Sequence, residues 1–166
     1  ALGLRIRGFY GPDGKHAPIE TNPGERKAVV NGWLQRLGIA EISGKFPGQI
    51  SGGQRQRTAI ARTLVLEPDL LLMDEPFASL DTPTREDLQQ LVRTLAEEKP
   101  LTTVLVTHTI EEALFLGEKI LVLHNGTNTT PVILENEFTG QFSPHNDSAY
   151  QLLTTRIREK LKGSPA

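Results

Sequence analysis

Ser51-Gly52-Gly53-Gln54 opens an apolar-periodic segment, and its residue types suit an anion. Adjacent glycines let a ligand come close to the backbone, and the Ser51 hydroxyl can donate. A helix N-terminus adds free N–H groups and a positive dipole end. A plain serine cap with a flexible entry gives the same tetrapeptide. Farther on, Leu70-Leu71-Leu72-Met73 runs into Asp74-Glu75-Pro76. A buried strand ending in two carboxylates presents them at the carboxyl edge of a sheet, where open α/β folds bind ligands. One carboxylate can hold Mg2+ through its water shell, and the other can orient and deprotonate an attacking water. A solvated turn closed by Pro76 is the alternative. Asp81, six residues beyond Glu75, is by itself an ordinary loop acid. His108 follows a strand at residues 103–107, on the same expected edge, where an imidazole can hydrogen-bond a terminal phosphate or serve structure alone. His16, His124 and His145 have no ligand-like neighbours, so no metal–histidine site is expected.

These groups need elements to hold them. Asn22 or Thr21 can cap a helix over 23–37 with Pro23 in its first turn and Gly38 at its end. Val30, Trp33, Leu34 and Leu37 form its inner face. Ser51 precedes a helix to about residue 66, stopped before Pro68. Residues 70–73 are apolar on both faces, which predicts a central strand of a parallel sheet. Thr82 caps a helix over 83–98 with Leu88, Leu91, Val92, Leu95 and Ala96 inward. A second buried strand at 103–106, a short helix at 110–116 and a third strand at 119–124 follow. Residues 125–130 turn the chain into a hairpin strand at 131–134, and a last helix over 148–161 turns Leu152, Leu153, Ile157 and Leu161 inward. The alternation from residue 70 onward predicts an α/β fold with a partly parallel sheet.

The 166 residues suffice for one core, since a chain of about 150 residues buries roughly 70% of its unfolded surface. A net charge of −2, from 18 basic and 20 acidic side chains, lacks the basic excess of a nucleic-acid binder. Zero cysteines exclude disulfides and thiolate metal sites. No apolar run approaches the ~20 residues of a membrane span, and Arg5 and Arg7 interrupt the only signal-like stretch.

In series, SGGQRQR, a strand ending LLLMDEP, then SLD, then a strand ending in TH resemble the ATP-binding cassette ATPases. The resemblance implies an incomplete P-loop NTPase (RecA-like) core with a small helical subdomain. Residues 1–50 then look like the helical subdomain, 51–135 like the later part of the ATPase core, and 136–166 like a C-terminal extension with a helix. By position, Ser51, Gly52, Gly53 and Gln54 match the signature that contacts the γ-phosphate of ATP held by a partner subunit. Asp74 matches the Walker B magnesium aspartate, Glu75 the catalytic glutamate, Asp81 the D-loop aspartate and His108 the switch histidine. Thr109 stands where the family has Asp. Ile110-Glu111-Glu112-Ala113 looks like the importer branch, and FLGEKILVL with YQLLTTRIREKL is similar to ATPases of nitrate, sulfonate and taurine importers. The loop over 9–23 looks longer than in that branch. ATP and Mg2+, a transmembrane permease subunit, a second ATPase subunit and a cytoplasmic place at the inner membrane face are what the resemblance implies.

The phosphate-cradling pattern G-x-x-x-x-G-K-[ST] does not occur in the 166 residues. Gly14-Lys15 precedes His16 with Phe9 in place of the first glycine, and Gly44-Lys45 precedes Phe46 with Ile39 there. The opening ALGL resembles the segment after the family's Gln loop, so the chain looks like the C-terminal part of an ATPase. Two expectations follow: negligible hydrolysis by the chain alone, and exposed strand edges met by dimerisation or rearranged pairing. Two other functions stay open, a non-catalytic half-cassette that lends its signature face to an intact partner, and a soluble cassette ATPase of translation or repair.

Overall fold

The computed structural model describes residues 22–98, 101–124, 132–142 and 147–162. The expectations for residues 1–21 and for the turn at 125–130 lie outside these. Helix α1 (Pro23–Arg36) starts where the Asn22 side chain accepts the Gly24 N–H at 3.0 Å, with Pro23 in the first turn. It stops at Gly38, whose φ of +64° is the left-handed conformation that glycine adopts without a Cβ penalty. Trp33 and Leu37 are buried, Val30 and Leu34 half-buried, and the Arg36 guanidinium lies 5.4 Å over the Trp33 ring. Two short 3-10 turns, Ala40–Ile42 and Pro47–Gln49, lead to α2 (Gly52–Leu64).

The chain divides into two compact units. Among the described residues, one comprises those up to Leu71 with Pro76–Val104, the other Leu72–Glu75 with those from Leu105 onward. In the first unit α1, α2 and α3 (Thr82–Glu98) bring their apolar faces inward, with Ile60, Leu64, Leu88, Val92 and Leu95 buried. Arg57 donates to the Leu37 carbonyl at 3.1 Å, and Arg36 pairs with Glu98. Helix α3 begins at Thr82 rather than being capped by it. The Asp81 carboxylate takes the cap position by accepting the Thr84 N–H at 3.4 Å.

Strands β1 (Leu70–Asp74) and β2 (Thr102–Val106) form a two-stranded sheet. Thr102 N–H donates to Asp69 O at one end and Glu75 N–H to Val106 O at the other, so the strands run parallel. Burial on both faces was the expectation for both strands, and the structure corrects it. Leu71 and Met73 are buried, but Leu70 and Leu72 are 47% and 68% exposed, and Val104 and Val106 are exposed as well. A continuous apolar run shows that both faces can be dry but not that neighbours cover both.

In the second unit β3 (Lys119–Val122) pairs antiparallel with β4 (Val132–Glu135), from Lys119 opposite Glu135 to Val122 opposite Val132. Helix α4 (Ile110–Leu116) and helix α5 (Ser148–Lys162) complete a core of Leu114, Ile120, Val122, Leu134, Phe138, Tyr150 and Ile157. Asn136 ties it together: its amide donates to Leu114 O at 2.7 Å and Gly117 O at 2.6 Å and accepts the Phe138 N–H at 3.0 Å. The expected inner face of α5 is also corrected. Tyr150, Thr154 and Ile157 are buried while Leu152 is 71% exposed and Leu161 is exposed. Tyr150 meets Phe138 edge-on at 5.4 Å, and that contact selects the face.

Gly53 sets how closely α2 and α3 approach. A Cβ there would lie 2.4 Å from Thr84 Cγ2, whereas one at Gly52 would find nothing nearer than 3.7 Å. Gly53→Ala is therefore expected to lower stability by about 1–3 kcal/mol through overpacking, and Gly52→Ala to leave it nearly unchanged. Adding Thr84→Ser, which deletes Cγ2, should restore most of the loss in urea unfolding. Equal tolerance of both alanines would show that the close approach does not exist in solution.

Candidate functional site

Ser51 and Gln54 hold the start of α2 in a reciprocal capping box. Ser51 Oγ accepts the Gln54 N–H at 3.2 Å, and Gln54 Oε1 accepts the Ser51 N–H at 3.0 Å. The Ser51 hydroxyl proton is left to donate elsewhere. Gln54 Nε2 also reaches Glu41 at 3.4 Å, and Arg55 donates to Ile50 O at 2.8 Å, bracing the turn into the helix. The S-x-x-Q spacing carries this signal in the sequence. Gly52 faces the Ser79 carbonyl and Leu80, so the tetrapeptide lies beside the turn that leads to Asp81. Asp81 is exposed, and its carboxyl is held below the ordinary range, first by hydrogen bonds from the Thr84 side chain and backbone, then by Arg85. Among the described residues no steric demand explains glycine at 52, unlike 53.

Asp74, Glu75 and His108 belong to the second unit. Asp74 ends β1 as an exposed carboxylate. Glu75 carries the ladder one residue farther through its N–H to Val106 O at 2.9 Å, with a φ of +45°. Parallel pairing brings the ends of β1 and β2 to one edge, and there His108 Nδ1 meets Glu75 Oε2 at 2.8 Å. Two residues singled out from separate strands are thus in contact. The turn around His108 has two further members that residue types alone did not reveal. Thr107 Oγ1 donates to Glu112 Oε2 at 2.6 Å and accepts the Thr109 N–H at 3.1 Å.

Among the described residues no group of three or more His, Asp or Glu side chains is arranged to hold a metal. Mg2+ does not need one, because it keeps several waters and binds through one or two carboxylates plus substrate phosphates. Asp74, exposed at a strand end, fits that pattern.

The Glu75 carboxylate, by hydrogen bond and by charge, raises the His108 pKa above its ordinary value near 6.5, and Glu112 adds in the same direction. The imidazolium is stabilised in the fold. That contribution is complete below about pH 6.5 and is lost as pH rises through the raised folded value. In Glu75→Gln the His108 midpoint, followed by imidazole NMR, should fall back toward the ordinary value. An unchanged midpoint would mean that the pair does not form in solution.

Comparison with known proteins bears on the family of the chain. The ABC transporter family model matches residues 10–78. The sulfate/thiosulfate import ATP-binding protein CysA of Mycobacterium bovis is 49% identical over 126 residues, 76% of this chain and 32% of that protein. The taurine import ATP-binding protein TauB of Rhizobium johnstonii is 40% identical over 124 residues, 75% of this chain and 47% of its own length. The chain thus spans less than half the length of these relatives. Among solved structures, an inward-facing putative metal-chelate type ABC transporter superposes with a TM-score of 0.62 at 27% identity, over 70% of this chain and 45% of that one. By these matches and its α/β fold, the chain belongs to the ABC transporter ATPase family.

Proposed function

We propose that the chain is the signature-bearing and water-activating part of an ATP-binding subunit that drives solute import. The contact of Glu75 with His108 at the shared end of two parallel strands carries this reading. Residues 1–50 are assigned to the helical subdomain, 51–135 to the later ATPase core and 136–166 to the C-terminal extension. The relatives named for sulfate/thiosulfate and taurine import support the importer branch.

Asp74 would hold Mg2+ through water, and the ion would supply positive charge against the phosphates of the nucleotide. Glu75 orients the attacking water and takes its proton. His108 uses Nδ1 toward Glu75, which leaves Nε2 to donate to a γ-phosphate oxygen, and its raised pKa keeps both nitrogens protonated closer to neutrality. The backbone amides at the start of α2 and the Ser51 hydroxyl donate to the γ-phosphate of a nucleotide whose phosphate loop lies on a second ATPase subunit. Gly52, which meets no close neighbour among the described residues, allows that approach. Asp81, beside the signature, takes part in the same subunit contact. A transmembrane permease subunit is the partner to be driven, from the cytoplasmic face of the membrane.

Since the 166 residues hold no phosphate loop, the purified chain should hydrolyse ATP negligibly. Hydrolysis should appear in an ATPase carrying these residues together with a phosphate loop, and Glu75→Gln should lower it at least a hundredfold, within the range for a lost general base. Turnover by the pure chain that disappears in Glu75→Gln would overturn the reading, and so would a complete ATPase indifferent to that substitution.

A further inference from the structure

We propose that Thr107 and Glu112 form a clasp that fixes His108 against Glu75, and so act as positioning residues for the hydrolysis site. The assignment to hydrolysis rests on the function proposed above, whereas the clasp itself rests on geometry.

His108 sits in the short turn between β2 and α4 with its side chain 74% exposed. Little packing surrounds the ring, so its placement depends on the backbone that carries it. That backbone is bridged by one hydroxyl. Thr107 Oγ1 accepts the N–H of Thr109, closing a turn across His108, and spends its own proton on Glu112 Oε2. The second bond, at 2.6 Å, has the length of a hydroxyl-to-carboxylate bond, the stronger class. Glu112 is 5% exposed in the first turn of α4. A buried carboxylate requires hydrogen-bond partners, so the Thr107–Glu112 pair resists opening. Thr109, at the cap of α4, makes no side-chain cap bond, which leaves the start of that helix to this bridge. The charges acting on the His108 ring come from Glu75 at the end of β1 and Glu112 on α4. A turn displaced by rotation about Thr107 would move the imidazole away from Glu75 without unfolding either strand.

The test uses the whole chain and measures how far Glu75→Gln lowers the His108 midpoint by imidazole NMR, first in the parent and then in Thr107 variants. In Thr107→Val, which keeps the shape but loses the hydroxyl, that drop should shrink by half or more. In Thr107→Ser it should keep its parental size. The same drop in Thr107→Val as in the parent would overturn the proposal. If Thr107→Val does not fold, Glu112→Met, which fills the buried volume without an acceptor, takes its place with the same two outcomes. This measurement needs no ATP, so the clasp can stand or fall apart from the proposed function.

Discussion

The hydrogen bond from Glu75 N–H to Val106 O is the interaction on which the site depends. It extends the parallel pairing of β1 and β2 by one residue past the end of β1 and fixes the register in which both strands stop. A parallel pair stops at one edge, whereas a hairpin of the same strands would carry Glu75 and His108 to opposite ends. The bond also retains Glu75 at a φ of +45°, a conformation that costs an L-residue about 1–2 kcal/mol. Such strain persists where surrounding structure imposes it, and here the ladder bond to Val106 holds Glu75 in place against the extended preference that Pro76 gives the residue before it. The result is a carboxylate turned out of the strand and into contact with His108.

The paired glycines show how one short motif answers to two constraints. Gly53 is required from within, because α3 passes so close that Thr84 occupies the space of a side chain. Gly52 has ordinary room around it. Packing among the described residues therefore explains the second glycine but not the first, while the Ser51–Gln54 box keeps the intervening backbone in one geometry. The turn to Asp81 lies against the same segment, and its carboxylate caps α3, so fold and site share these residues.

Much of this was legible in the residues. Periodicity located α1 to α5 and the four strands to within a few residues, and the motif order pointed to the strand ends that carry Asp74, Glu75 and His108. Apolar content could not show that Leu70 and Leu72 lie open on one face, because a dry face requires a neighbour and the run itself names none. In α5, leucines at 152, 153, 157 and 161 marked one stripe, but Tyr150 found Phe138 and rotated the buried face toward Thr154 and Ile157. The Thr107–Glu112 bridge was illegible for a different reason. A glutamate in a first helical turn is common at the surface, and only the packing of α4 shows that this one is buried.

On the function proposed, Glu75 and His108 act as one unit on the terminal phosphate. Single-turnover ATP hydrolysis tests it most directly, in an ATPase that carries these residues and a phosphate loop, with Glu75→Gln, His108→Ala and the double variant compared at saturating nucleotide. The account predicts that the double variant is about as slow as the slower single one, as for residues that work together. Losses that multiply in the double variant would show that the two side chains act independently and would contradict it.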